Sequence, residues 1–304
     1  MNKYFLNGKE LSEYGLLPAR TSDSNLALAG AWDMPSRTGK THHVWPDGEG
    51  LEPYLLDKEI IHGGRDLIFN FHLKASSRET AFIKCNAIYN DIARFTGLVP
   101  FSSTYFGTHN ILIKEEIKVK YVAGGFASGT LIMREPIVNV NGVLPVADSI
   151  TPSIDDISLQ TMGFEVKSMT DQYSRPAAKS FNVTAYGYEG YKVMPAGFRT
   201  INLELVGRFE SYAAFSDSMK NFAYLLSRPN ARILIHNNIA REVFSKDGFK
   251  VTSLYKNGSA FFVQVMVPLT EIRVLDIYDQ YTDNAGDVLT DNDGNIITGI
   301  FNLN

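Results

Sequence analysis

Residues 64–73 read GRDLIFNFHL, residues 76–95 SSRETAFIKCNAIYNDIARF, and residues 117–136 IKVKYVAGGFASGTLIMREP. The first run alternates. Leu67, Phe69, Phe71 and Leu73 point one way and Ile68, Asn70 and His72 the other, the pattern of a strand with one face in a core. The second run changes period: Phe82, Cys85, Tyr89 and Ile92 recur every three or four residues and predict one apolar helical stripe. Ser76 and Glu79 have the spacing of a capping box at its start, and Thr96-Gly97 followed by Pro100 ends it. Strands are expected at about 110–122 and 127–138, turning at Gly124-Gly125.

The same order occurs a second time: FRTINLELVG (198–207), SYAAFSDSMKNFAYLL (211–226) and FKVTSLYKNGSAFFVQVMVP (249–268). Ile201, Leu203 and Leu205 alternate, and Phe215, Met219, Phe222 and Leu226 share one helical face that stops before Pro229. Asn257-Gly258 marks the closing hairpin. Arg65 aligns with Arg199, Phe82 with Phe215, Val119 with Val251 and Pro136 with Pro268, offsets of 134, 133, 132 and 132. Gly15 and Gly163 are 148 apart, so the first copy holds about fourteen additional residues ahead of its long strand. Matching order and spacing predict an internal duplication.

Around these bodies the chain divides into 1–146, 147–270 and 271–304. Residues 3–20 form an expected hairpin at Asn7-Gly8. Residues 22–53 form a long arm, rich in Gly, Asp, Ser and Pro, that carries Trp32, Arg37, His42, His43 and Trp45. A long irregular segment in a compact domain usually has a task, and this arm is the candidate subunit interface. Asn141-Gly142 marks a turn, and LPVADSITPS (144–153) marks the boundary. The tail from 271 is expected to form a short hairpin at Asp293-Gly294.

The composition sets further bounds. With 304 residues, 44% of them apolar, the chain is long enough for two cores. A net charge of −4 argues against nucleic-acid binding through a broadly basic surface. No apolar run reaches bilayer-spanning length, so no membrane insertion is expected, and the first residues lack the layout of a secretory signal. The single cysteine, Cys85, excludes an internal disulfide framework and is expected as a small buried hydrophobe. The aromatic content of 12% tilts the class toward strands.

Several fragments that suggest chemistry fail on spacing. SRTGKT (36–41) lacks the small residue a phosphate loop needs, because Met34 stands there. GGFASG (124–129) has Phe126 where a dinucleotide fingerprint or nucleophile elbow needs glycine. A calcium loop centred on Gly294 would put Leu289 and Ile300 at ligand positions; Asp283, Asp287, Asp291 and Asp293 read as turn residues. The histidines show no metal-ligand spacing. No catalytic, cofactor or metal residue is therefore assigned, and no cofactor is expected.

The hairpin YFLNGKELSEYGLLP, the arm with AWDMPSRTGKTHH, and the strand GRDLIFNFHL with its helix and hairpin resemble the N-terminal domain of distal tail proteins of long-tailed phages. PSRTGK (35–40) stands where that family has a P-G-R-x-G segment, with Ser36 in place of its glycine. The resemblance covers about 1–140 directly and 150–270 through the repeat. It implies a mainly β, α+β fold: two tandem tail-tube-like β-sandwich domains, each with one flanking helix. It also implies a non-enzymatic virion tail component that forms a ring continuing the tail tube, as distal tail adaptor or baseplate hub. The expected partners are further copies of the chain, as homotrimer or homohexamer, and other tail proteins such as tube and tail-tip proteins. DNA would only pass through the lumen. Two alternatives stand beside it: a glycan-binding module using Trp32, Trp45 and Tyr105, and an enzyme whose site is assembled from distant residues.

Overall fold

The computed structural model describes residues 3–44, 51–115, 117–171, 174, 178–185, 188–196, 198–237, 239–272, 278–280 and 298–300. The chain opens with β1 (Tyr4–Leu6), β2 (Lys9–Glu10), β3 (Leu16–Pro18) and β4 (Leu28–Ala29). The arm continues through β5 (His42–Val44) and β6 (Leu51–Pro53). Then come β7 (Arg65–Lys74), α1 (Arg78–Ile92), β8 (Val99–Ser103), β9 (Gly107–Ile113), β10 (Lys118–Ala123) and β11 (Phe126–Glu135). The second half runs β12 (Ser153–Ile154), β13 (Ile157–Ser158), β14 (Phe164–Thr170), β15 (Ala178–Ala185) and β16 (Tyr188–Ala196). It continues with β17 (Thr200–Phe209), α2 (Tyr212–Ser227), β18 (Arg232–His236), β19 (Ile239–Phe244), β20 (Lys250–Asn257) and β21 (Ala260–Glu271). A last pair, β22 (Tyr278–Gln280) and β23 (Thr298–Ile300), is antiparallel. The expected Asp293-Gly294 turn and the four tail aspartates lie outside the described residues.

The protein is mainly antiparallel β with one long helix in each half. The first sheet has the order β2-β1-β8-β9-β11-β7-β3, with β10 on β11 and β4 on β7. The second has the order β13-β12-β18-β19-β21-β17-β14, with β20 on β21. Each strand of the second order has a counterpart at the same place in the first. The bend falls where β9 meets β11 through only Leu112–Arg134 and Ile113–Met133, and where β19 meets β21 through Val243–Glu271 and Phe244–Thr270. Past that bend the sheet curls over itself, and Tyr4 of β1 packs on Phe69 of β7 with ring centroids 4.8 Å apart.

The alternating residues Leu67, Phe69, Phe71 and Leu73, and likewise Ile201, Leu203 and Leu205, are buried as their period required. Asn7 and Gly8 take positive φ (50° and 81°) in the tight turn between β1 and β2, the backbone that an Asn-Gly pair favours.

Four expectations are corrected. The N-cap of α1 is Ser77, not Ser76: its hydroxyl accepts from Thr80 N–H at 3.1 Å, just as Ser211 accepts from Ala214 N–H at 3.2 Å for α2. The inward stripe of α1 is Ala81, Cys85 and Ile88; Phe82 is 58% exposed and Tyr89 37%. These inward residues lie 134 before Phe215, Met219 and Phe222, so Phe82 matches Ser216 and not Phe215. Cys85 is a buried free thiol, as expected.

The third correction concerns the hairpins. Arg65 faces Glu135 on β11, and Thr200 faces Thr270 on β21, which brings Glu271 level with Arg199. The last strand is therefore offset by 136, and Pro136 does not match Pro268. The expected strand at 110–122 is two strands, β9 and β10, separated at 114–117.

Candidate functional site

The arm is ordered by the second half of its own chain. Ser24 forms a parallel bridge with Leu254 on the outer edge of β20, and its hydroxyl donates to the Leu254 carbonyl at 2.7 Å. Asn25 makes a two-way bond with Lys256. Its Nδ2 donates to the Lys256 carbonyl (2.7 Å) and its Oδ1 accepts from the Lys256 amide (2.8 Å), which imitates a neighbouring strand. Further along, Asp33 Oδ1 accepts from Val251 N–H (2.9 Å) and Met34 pairs with Phe249. Edge strands expose unpaired backbone groups, and here the arm satisfies those of β20.

Trp32 anchors the crossing. Its ring stands edge-on to Phe215 (5.1 Å) and Tyr212 (6.2 Å) of α2, and Phe215 stacks on Phe261 of β21 (5.4 Å, 6°). Tyr105, from the β8–β9 turn, joins the same aromatic layer at 6.0 Å from both Tyr212 and Phe261. Trp32 and Tyr105, two of the aromatics that a glycan-binding reading needs on a displayed loop, are thus half-buried in this layer. Trp45 lies outside the described residues.

Arg37 is buried, and its guanidinium donates to the carbonyls of Tyr54 and Glu59, closing the arm on itself. Its backbone amide donates to the Lys246 carbonyl (2.8 Å). The hairpin β5–β6 then lands on the second half. Leu51 clusters with Phe244 and Ile272, with Leu55, Phe198 and Ala231 packed around them, and the His42 ring lies edge-on to Phe244 at 6.1 Å. Burial, helped by the nearby charges of Lys246 and Arg37, keeps the His42 imidazole below its usual pKa. His43 contacts Lys40 (3.3 Å) and lies half-buried. The structure therefore places Trp32, Arg37 and His42 in one intrachain contact.

A second constellation escaped the sequence reading. Glu135 accepts from Arg65 Nε (2.7 Å) and from His109 Nδ1 (3.1 Å), all three side chains being nearly buried. Burial raises the Glu135 carboxyl, but the bond from His109 and the charge of Arg65 outweigh it and hold the pKa below the usual range. By strand register His109 corresponds to Arg241, so the second half has the matching set Arg199, Arg241 and Glu271. There Arg199 Nε lies 2.6 Å and Arg241 Nε 3.6 Å from the Glu271 carboxylate, which is fully buried.

Repetition of the same buried set at equivalent positions identifies it as a clamp between the long strand, the bend and the last strand. The copied signal, Arg65 with Arg199, was visible in the sequence; the hairpin misalignment hid Glu135 and Glu271. The first clamp borders a cleft of about 480 Å³ between the halves, lined also by Trp32, Asp33 and Lys220. Burial outweighs the Val251 amide and the Arg65 charge at Asp33, and raises its carboxyl pKa.

Among the described residues, no cluster of His, Cys, Asp and Glu has metal-site geometry, and no helix is long and apolar enough to cross a membrane. No protein-family model matches this chain, and no curated protein matches it. Among solved structures, it is similar to the crystal structure of the SPP1 Dit (gp 19.1) protein, described as a paradigm of the hub adsorption apparatus in Gram-positive-infecting phages. The identity is 8% over 90% of this chain and 100% of that chain, with a TM-score of 0.34, too low to assign a shared fold.

Proposed function

We propose that this protein is a non-enzymatic structural component of a phage or prophage tail tip, acting as a distal tail adaptor or baseplate hub that forms a ring. The observation that carries the reading is the tandem repeat with its heterologous contact: the arm and hairpin of the first copy seat on the edge and bend of the second. A heterologous contact between equivalent units propagates, and it ends only by closing into a ring or extending into a filament. Three chains would supply six units and six chains twelve. The resemblance of 1–140 to distal tail proteins supplies the biological setting. In that setting the other partners are tube and tail-tip proteins, and DNA passes through the lumen without being held.

Light scattering on the size-fractionated protein tests this reading, together with negative-stain images. The expected result is a trimer or hexamer of annular shape. A monomer at every concentration would overturn it.

A further inference from the structure

The two repeats are not equally covered. In the second, hairpin β5–β6 of the first repeat covers Phe244 and Ala231, and residues 23–34 cover the β20 edge. Strand register identifies the counterparts in the first repeat: Phe244 corresponds to Leu112, since each faces the residue before the clamp glutamate on the last strand (Thr270, Arg134). Ala231 corresponds to Leu98. Leu112 is 40% exposed and Leu98 46%. They open onto a groove of about 550 Å³ whose floor is Ile92, Phe95 and Ile113. The strand equivalent to β20 is β10, which pairs only with β11; among the described residues nothing lies on its other edge, and Val122 there is 69% exposed.

The second repeat also has the part that would fill such a groove. Hairpin β15–β16 stands between β14 and β17, where the arm with its hairpin β5–β6 stands between β3 and β7. The two inserts share one root. Arg65 Nη1 donates to the Asp33 carbonyl (3.2 Å) in the first repeat, and Arg199 Nη1 donates to the Ser174 carbonyl (3.3 Å) in the second. Each repeat therefore sends out an insert from the same place, and the first insert seats on the second repeat.

We infer that the Leu98–Leu112 groove is the seat for hairpin β15–β16 of a second copy of this chain. The contact inside the chain is thereby repeated between chains, head to tail. This inference rests on the ring reading above and names its interface: the hairpin enters an apolar groove beside the outer edge of β10.

Two variants of the full chain test it. In one, L98E/L112E places charges in the groove; both side chains are already exposed, so the fold is kept. In the other, residues 178–196 are replaced by a short Gly-Ser turn. Each variant alone is expected to run as a monomer that keeps a cooperative thermal unfolding transition. Mixed in equal amounts they are expected to give a dimer and nothing larger, because only one intact groove and one intact hairpin remain to meet. If the unmodified chain forms rings and either variant still forms them, the inference fails while the ring reading stands. Two monomeric variants that do not pair on mixing also overturn it. If the unmodified chain is itself a monomer throughout, the ring reading fails first.

Discussion

Ser24 and Leu254 lie 230 residues apart in the chain and are joined twice: by a parallel bridge and by the Ser24 hydroxyl on the Leu254 carbonyl at 2.7 Å. Around this bond the arm acts as an extra strand of the second sheet, with Asn25 supplying two further bonds. Removing a buried side-chain partner from a backbone group costs about 1–3 kcal/mol. The S24A/N25A variant is therefore expected to lower the urea midpoint and to expose residues 22–38 to limited proteolysis before the rest of the chain. Equal cleavage rates in variant and parent would refute a docking role for these bonds.

Gly248 guards the other end of that contact. Its φ is +67°, and a Cβ there would lie 2.1 Å from the Met34 carbonyl oxygen. Left-handed backbone alone costs a non-glycine residue about 1–2 kcal/mol, and relief of the clash requires the arm to move. Gly248→Ala is expected to lower the melting temperature. Combined with S24A/N25A it should cost less than the two losses added, because both loosen one contact. Full additivity would mean that they act at separate places.

Trp32 is the largest group in the crossing, wedged against Phe215 and Tyr212. Truncation of buried aromatics costs about 3–5 kcal/mol. Trp32 is only partly buried, so Trp32→Ala is expected near the lower end, about 3 kcal/mol by denaturant titration. Trp32→Phe should recover more than half of that loss. A change within error for Trp32→Ala would remove Trp32 as the anchor.

The two clamps differ in one respect. Glu271 faces two guanidiniums, whereas Glu135 faces one guanidinium and an imidazole. Removing one partner from a buried ion pair costs about 3–5 kcal/mol because the other charge stays in a dry setting. Glu271→Gln strands two fixed guanidinium charges and Glu135→Gln only one. Glu271→Gln is therefore expected to destabilise the protein more than Glu135→Gln, as measured by differential unfolding. The reverse order would show that the second clamp is not held by charge.

Acid stability has an identifiable contributor at the junction of the halves. Asp148 accepts from the Thr161 hydroxyl (2.5 Å) and from the amides of Ser158 (3.0 Å) and Ile150 (3.2 Å). These bonds, the Thr161 bond first, bring its pKa from the ordinary 3.8 down to about 2. A depressed carboxyl contributes stability that is present above its unfolded value and is lost as pH falls through its folded value. The contribution should therefore disappear between about pH 4 and pH 2. Asp148→Asn is expected to lower stability at pH 7 and to narrow its gap from the parent as pH approaches 2. A gap that stays constant with pH would show that the carboxylate charge plays no part.

Much of the unit was legible from residues alone. The period-two runs at 67–73 and 201–205, the stripe Phe215–Met219–Phe222 and the turns at Asn7-Gly8 and Asn257-Gly258 state their own local structure, because burial on one face imposes the period. The repeated order of elements, which the two sheets share, was legible from spacing. α1 misled because its inward face is built from small residues, Ala81 and Cys85. The larger apolar side chains Phe82 and Ile83 point outward, so hydrophobicity marked the wrong stripe. The hairpin offset failed because strands in register can carry different residues: Pro136 and Pro268 match as letters but stand four positions apart in the ladder.

The sequence by itself determined that there are two copies of one mainly β unit and that an arm of irregular composition distinguishes the first. Where that arm goes was decided only by tertiary structure. Ser24, Asn25 and Asp33 bond to backbone groups of β20, and a backbone amide or carbonyl has no signature in the residue that bears it. Which apolar residues are covered, Phe244, and which are left open, Leu98 and Leu112, likewise depends on a neighbour in space that no local pattern records.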